Sequence, residues 1–353
     1  MNDNRFYLDI HAIQTLPPSN VNRDDTGSPK SAVYGGVRRA RVSSQSWKRA
    51  MRKYFLAESD ADLGVRSLNV IKYVADRIRE KDTAISEQQA MEMSDKIFNE
   101  AGVKTKDQKT KALFFLGKKQ AELLADAAIH EEKDKKKLKQ LISKSPAVDI
   151  ALFGRMVADD PSLNEDASAQ VAHAISTHGV QTEFDFYTAV DDMAPEDNAG
   201  AGMLGTIEYN SSTLYRYANV AVHELVNQLG DKEQAINAAK LFIQAFANSM
   251  PTGKINTFAN QTLPQLILIN IRTDRPVNLV TAFEKPVKSN DGNVVPSIQC
   301  LFDEEKKAEK FVRKPDEALY VVDADVEKPE WATEENSLFD LLDDFEKAAD
   351  RLL

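Results

Sequence analysis

Eight basic side chains (Lys30, Arg38, Arg39, Arg41, Lys48, Arg49, Arg52 and Lys53) fall between Thr26 and Ala57 with no acidic residue among them. Ser43 and Ser44 lie inside this run, where they suit the cap of a helix, so hydroxyls, helix N–H groups and cations meet at one place. That combination binds a polyphosphate chain: the cations neutralise its charge while the N–H groups and hydroxyls take its oxygens. A solvated basic helix is the alternative reading of the same residues.

Enzymatic patterns are weaker. Gly200, Gly202 and Gly205 match G-x-G-x-x-G, but they follow Asp191, Asp192, Glu196 and Asp197, and no helix pattern opens there to hold a phosphate. Gly253-Lys254 resembles the end of a phosphate loop, yet Ile255 stands where a Mg-binding Ser or Thr is needed, and Asn248 replaces the first glycine. Asp24-Asp25 or Asp191-Asp192 can offer carboxylates to Mg²⁺, and a loop aspartate beside RNA can assist phosphodiester cleavage; otherwise such acids are solvated turn residues. His173 and His178 fit no helical metal spacing, and Cys300 has no neighbouring histidine. The residues therefore predict no catalytic group, metal or cofactor, with Asp24 or Asp25 in a Mg-dependent ribonuclease as the alternative.

The chain has 353 residues and a net charge of −10, which taken alone argues against nucleic acid. The basic run shows that this average hides a segregation, and the stretch from Leu301 to Leu353 is its counterpart, with 17 acids against 8 bases. One cysteine excludes a disulfide framework. Neither an apolar run of membrane-spanning length nor an apolar signal core in MNDNRFYLDI occurs, so a cytoplasmic chain without membrane contact is expected.

The elements that must position the basic run are partly readable. Phe6 to Ile13 alternates as a strand with one buried face, followed by a long turn-rich loop from Pro17 to Pro29. Trp47, Ala50, Met51, Tyr54 and Phe55 recur as one face of a helix, with Gln45, Lys48 and Arg52 on another. Lysine-rich helical patterns fill Arg66 to Ser143. VDIALFGRM (Val148 to Met156) is a short apolar segment, Val171 to Thr177 suits strand or helix, and Phe184 to Val190 and Thr213 to Val220 are strands. Asp231 with Gln234 opens a helix, Gln265 to Ile271 is a buried strand, and Leu338 to Ala349 forms a terminal acidic helix. Without the insertions the order is strand, helix, strand, strand, helix, strand, the ferredoxin-like order of an α+β domain.

Beyond these patterns, ordered blocks resemble a known family. They are Asn22-Arg23-Asp24-Asp25, the run Tyr34 to Arg52 (YGGVRRARVSSQSWKRAMR), VDIALFGRM, AHAISTH (Ala172 to His178), FYTAVDD (Phe186 to Asp192), YRYANV (Tyr215 to Val220), AFEKPVK (Ala282 to Lys288) and PSIQ (Pro296 to Gln299). They resemble the CasC backbone subunits of type I-E CRISPR Cascade complexes.

The resemblance implies a right-hand shape. A modified RNA-recognition palm would span 1–65, 144–177 and 218–300, with helical fingers at 66–143, a β-hairpin thumb at 178–217 and an acidic segment at 301–353. It implies a non-catalytic subunit that polymerises head to tail on CRISPR RNA, holds the guide by its backbone and flips bases at regular intervals. The guide would then pair with a target DNA strand, in company with further copies of the chain and the subunits CasA, CasB, CasD and CasE. Arg23, Lys30, Ser43, Gln45, Lys48 and Arg52 match guide-backbone contacts, and Arg38, Arg41 and Arg49 belong to the same basic run. Met156, after Arg155, matches an apolar wedge, and Phe186, Tyr187 and Thr188 match thumb residues at the kink.

Overall fold

β1 (Tyr7–Ser19) runs through the middle of the sheet, paired on both edges, so its backbone groups are satisfied on either side. The computed structural model describes residues 5–189, 192–193 and 203–353. A hairpin of β2 (Ser31–Tyr34) and β3 (Val37–Val42) follows, turned by Gly35 and Gly36 at φ +58° and +79°. Gly35 is obligatory, because a Cβ there would lie 1.6 Å from the Glu284 carbonyl oxygen.

α1 (Ser44–Glu58) buries Trp47, Ala50, Met51 and Phe55, the face its spacing predicts. β4 (Gly64–Ser67) then leads into a helical lobe. The lobe comprises α2 (Val70–Lys81), α3 (Glu87–Ala101), the small strands β5 (Thr105–Lys106) and β6 (Lys109–Thr110), β7 (Phe114–Gly117), α4 (Lys118–Ile129) and α5 (Lys135–Ser143). These helices enclose their own core, including Ile71, Val74, Phe98, Leu124 and Leu138, which also takes Val157 and Leu163.

The chain returns through α6 (Val148–Phe153), β8 (Ala169–Val171) and β9 (Ala174–Ser176). β10 (Glu183–Ala189) pairs with the first part of β11 (Met203–Ala221) as a projecting hairpin, and the rest of β11 lies beside β1 in the sheet. α7 (Val222–Leu229), α8 (Lys232–Asn248), α9 (Ile255–Phe258), β12 (Leu266–Arg272), α10 (Val294–Ala308), β13 (Glu317–Val322), β14 (Thr333–Glu334) and α11 (Leu338–Leu352) complete the chain.

The sheet order is β14-β13-β12-β1-β11-β9-β3-β2. Its centre, β12-β1-β11-β9, is antiparallel throughout, the interleaving that two split βαβ units produce, so the expected α+β arrangement is present. Leu8, Ile10 and Ala12 point from β1 into a core shared with α1, α8 and α11. The opposite face is also buried, contrary to the one-faced strand that alternation predicts. Ile13, Tyr215, Tyr217 and Leu268 pack there against Leu279, Phe283 and α10.

Asp9 and His11 are therefore inside the protein. Asp9 accepts from Tyr217 Oη at 2.7 Å, Asn219 Nδ2 at 3.1 Å and Val277 N at 2.8 Å, and stands 3.4 Å from Arg272 Nε. Arg272 in turn pairs with Glu305 of α10. The acidic segment after Leu301 is an integral part of the fold: β13 extends the sheet beside β12, and α11 seals the core while Glu346 pairs with Lys240 of α8. Among the described residues no helix is long and apolar enough to cross a membrane.

Candidate nucleic-acid interface

The turn-rich segment after β1 is stitched into a defined loop by its own polar residues. Asp24 Oδ1 accepts from Thr26 N (3.0 Å), Thr26 Oγ1 (2.7 Å) and Ser28 N (3.0 Å), which holds the Asp24 carboxyl below its usual range, the Thr26 hydroxyl contributing most. Asn20 Nδ2 donates to Gly27 O and to Glu208 O at the base of the hairpin, and Asn22 Oδ1 accepts Ser43 N at 2.8 Å. Asp24 thus organises the loop, while Asp25 is exposed. No group of three or more metal-ligating side chains occurs among the described residues.

Around this loop the basic run divides into three sets. Arg23, Arg38, Arg49 and Lys53 are exposed, and Gln45, Arg49 and Lys53 follow at i, i+4, i+8 along one stripe of α1. Lys30 and Arg41 stand on the other side of the loop beside His173: Arg41 Nη1 lies 3.1 Å from His173 Nδ1, and burial, then the charges of Arg41 and Lys30, lower the imidazole pKa. The third set serves the fold. Arg39 is buried and donates to the carbonyls of Tyr34, Ser176 and Phe283.

Three expected contacts lie wholly or partly inside the fold. Ser43 is the N-cap of α1, but it is buried and its side chain makes no capping bond. Lys48 lies half-buried with Nζ 5.7 Å from the Phe153 ring centroid, and burial lowers its pKa. Arg52 turns into the protein, donating to Asp149 Oδ2 (2.9 Å) and Gly64 O (3.0 Å) over the Phe115 ring.

Arg155, expected at the guide, turns inward: its guanidinium is buried and donates to Leu163 O (2.9 Å), Phe115 O (3.3 Å) and Ile142 O (3.2 Å). Desolvation lowers its pKa to about 10. The block Gly154-Arg155-Met156 then acquires a local logic. Gly154 turns at φ +78° where a Cβ would meet Glu165 O at 3.0 Å, Arg155 anchors the turn beneath the lobe, and Met156 is thrust out, 81% exposed. An apolar side chain so presented suits a wedge.

The hairpin separates residues that adjoin in sequence. Phe186 and Thr188 share one face with Phe184 and Leu204, whereas Tyr187 lies on the other face, its ring over Gly205. Phe184 and Phe186 are 66% and 67% exposed, far more than a packed strand tolerates without a partner. Gly200 and Gly202 fall outside the described residues.

Sequence reasoning missed the β2–β3 hairpin, and it counted Lys53 in the basic run without assigning it a contact. Gly35-Gly36 is a recognisable two-residue turn signal, and Lys53 lies one turn beyond Arg49.

With this geometry in place, the chain can be set beside known proteins. A search of curated sequences returns no match. Among solved structures, a chain of a "CRISPR RNA-guided surveillance complex, pre-nicking" is 35% identical with a TM-score of 0.85, the alignment covering 97% of this chain and 100% of the other. A chain of another "CRISPR RNA-guided surveillance complex" is 31% identical with a TM-score of 0.65, covering 97% and 99% respectively. The model of the CT1975-like protein family matches residues 8–345, nearly the whole fold described above, and the chain belongs to that family.

Proposed function

We propose that the chain is a non-catalytic backbone subunit of a CRISPR RNA-guided surveillance complex of the type I-E kind. In this reading copies assemble head to tail on a CRISPR RNA, hold its phosphates and leave its base edges free for a target DNA strand. The observation that carries the proposal is full-length similarity, at 35% identity, to a chain of such a complex. The exposed cations around the Asn20–Lys30 loop fit it, because a guide must be gripped without regard to its spacer.

Met156 and the Phe184–Phe186–Leu204 face supply exposed apolar groups for displaced bases. Unstacking costs a few kcal/mol per step, which contact with such side chains and with neighbouring subunits offsets. Head-to-tail growth requires two different surfaces to meet. The other Cascade subunits and a cytoplasmic location belong to the same proposal. The competing ribonuclease reading draws no support from Asp24, whose Oδ1 is committed to its own loop.

The test is guide retention by assemblies carrying Lys30→Glu with Arg41→Glu, measured with two guides of unrelated spacer. Retention should fall equally for both, with a shallower dependence on salt. A loss confined to one spacer contradicts backbone holding.

A further inference from the structure

A polar groove of about 440 Å³ lies between the loop after β1, the α1 stripe and the segment that follows α8. Arg23, Arg49 and Lys53 line it together with Ser46, Thr252 and Gly253. We propose that this groove is a phosphodiester subsite for the guide, in which the Met250–Gly253 segment forms a wall and Lys53 and Thr252 bind alongside Arg23 and Arg49. The inference rests on the guide-binding reading above and extends it to a part of the chain, after α8, that neither the basic run nor the motif blocks include.

Charge is the first argument. Three cations line the groove against one acid, Asp24, whose Oδ1 already accepts three hydrogen bonds within its loop. Among the described residues Arg23, Arg49 and Lys53 enter no salt bridge. Uncompensated like charges gathered in a concave site raise the local concentration of anions, and a phosphate is the anion that a guide presents.

Construction is the second. Gly253 is clasped so closely to the loop that a Cβ would lie 2.1 Å from Val21 O, so the wall is fixed to the same loop that carries Arg23. Lys254 then turns the chain away at φ +50° into α9.

Asn22 lines both this groove and the narrow cleft holding Lys30 and Arg41. One strand crossing the loop would thus meet cations on either side of the Asn22 ridge.

The experiment uses the full assembly, loaded with a CRISPR RNA, and measures guide retained across a salt titration. Gly253→Ala would force a Cβ onto Val21 O, so the variants are Lys53→Ala with Thr252→Val, both on exposed side chains, and their melting curves are recorded alongside. Guide affinity should drop about five- to tenfold at moderate salt, with the salt slope smaller by about 0.7, the share of one lost single-strand phosphate contact. Lys30→Ala, outside the groove, is the reference. If it weakens retention while the groove pair does not, the subsite is overturned and the guide-binding reading stands. If neither does, both fall. Unchanged guide retention with weaker capture of a complementary DNA strand overturns the assignment to the guide and moves the phosphate to the target.

Discussion

Arg52 donates from Nε to Asp149 Oδ2 at 2.9 Å, tying the cationic helix α1 to the buried end of α6. Asp149 Oδ1 accepts Gly64 N at 2.8 Å, so one carboxylate joins α1, α6 and the strand that enters the helical lobe. Arg52→Ala leaves that carboxylate buried without its counter-charge and is expected to lower stability by about 2–4 kcal/mol, read from chemical denaturation. Adding Asp149→Ala should cost less than the sum of the two single changes. Strict additivity would show that the pair is uncoupled. Any loss of guide in Arg52 variants reports folding first, which is why Lys30, Arg41 and Lys53 are the cleaner probes.

The opposite faces of the hairpin separate two effects that sequence adjacency merges. Phe186→Ala removes an exposed ring and should leave the melting temperature within about a degree while weakening guide retention by the ~1–3 kcal/mol of one stacked base. Tyr187→Ala uncovers Gly205 instead and should mainly loosen the hairpin, seen as faster amide exchange in β10. Equal effects of both changes on retention, with no change in exchange, would refute the division of faces.

Burial pushes Asp9 up to about 7, although its hydrogen bonds and Arg272 favour the anion, and burial holds His11 down at about 3. Against ordinary values of 3.8 and 6.5, unfolding between about pH 4 and 6.5 releases a proton from Asp9 and takes one up on His11, so the two contributions cancel. The Asp9 contribution is full below about 3.8 and lost as pH rises through about 7, whereas that of His11 is full above about 6.5 and lost as pH falls toward 3. Asp9→Asn removes only the first. Relative to the unaltered protein, its unfolding free energy should then rise with pH between about 4 and 6.5 by about 1.4 kcal/mol per unit. Parallel stability curves for the two proteins would contradict the buried proton on Asp9.

The same residues show where the sequence was legible and where it was not. Central strands and helices with unbroken apolar faces, such as Leu266–Arg272 and Lys232–Asn248, were readable because one pattern decides them. The second layer was not. α10 buries Ser297 and Glu305 along with Ile298, Leu301 and Phe302, so its stripe is interrupted by polar residues. Those residues pair with Thr177, Asn270 and Arg272, partners invisible until the sheet is built. Without α10 to cover it, the Asp9–His11 side of β1 reads as a solvated face.

In the candidate interface, residue type revealed the charge but not its direction. Arg39, Arg52 and Arg155 are spent on carbonyls and a carboxylate inside the fold, while Arg23, Arg49 and Lys53 face the groove. Local spacing carries no record of the distant carbonyls, such as those of Ser176, Phe283 and Ile142, that draw an arginine inward.

Native mass spectrometry of the assembly purified after co-expression with a CRISPR RNA and the other subunits tests the central claim most directly. Several copies of the chain on each guide are expected, with more copies on a longer guide irrespective of its spacer sequence. Recovery of the chain only as an RNA-free monomer, with guide and partners present, would contradict the account.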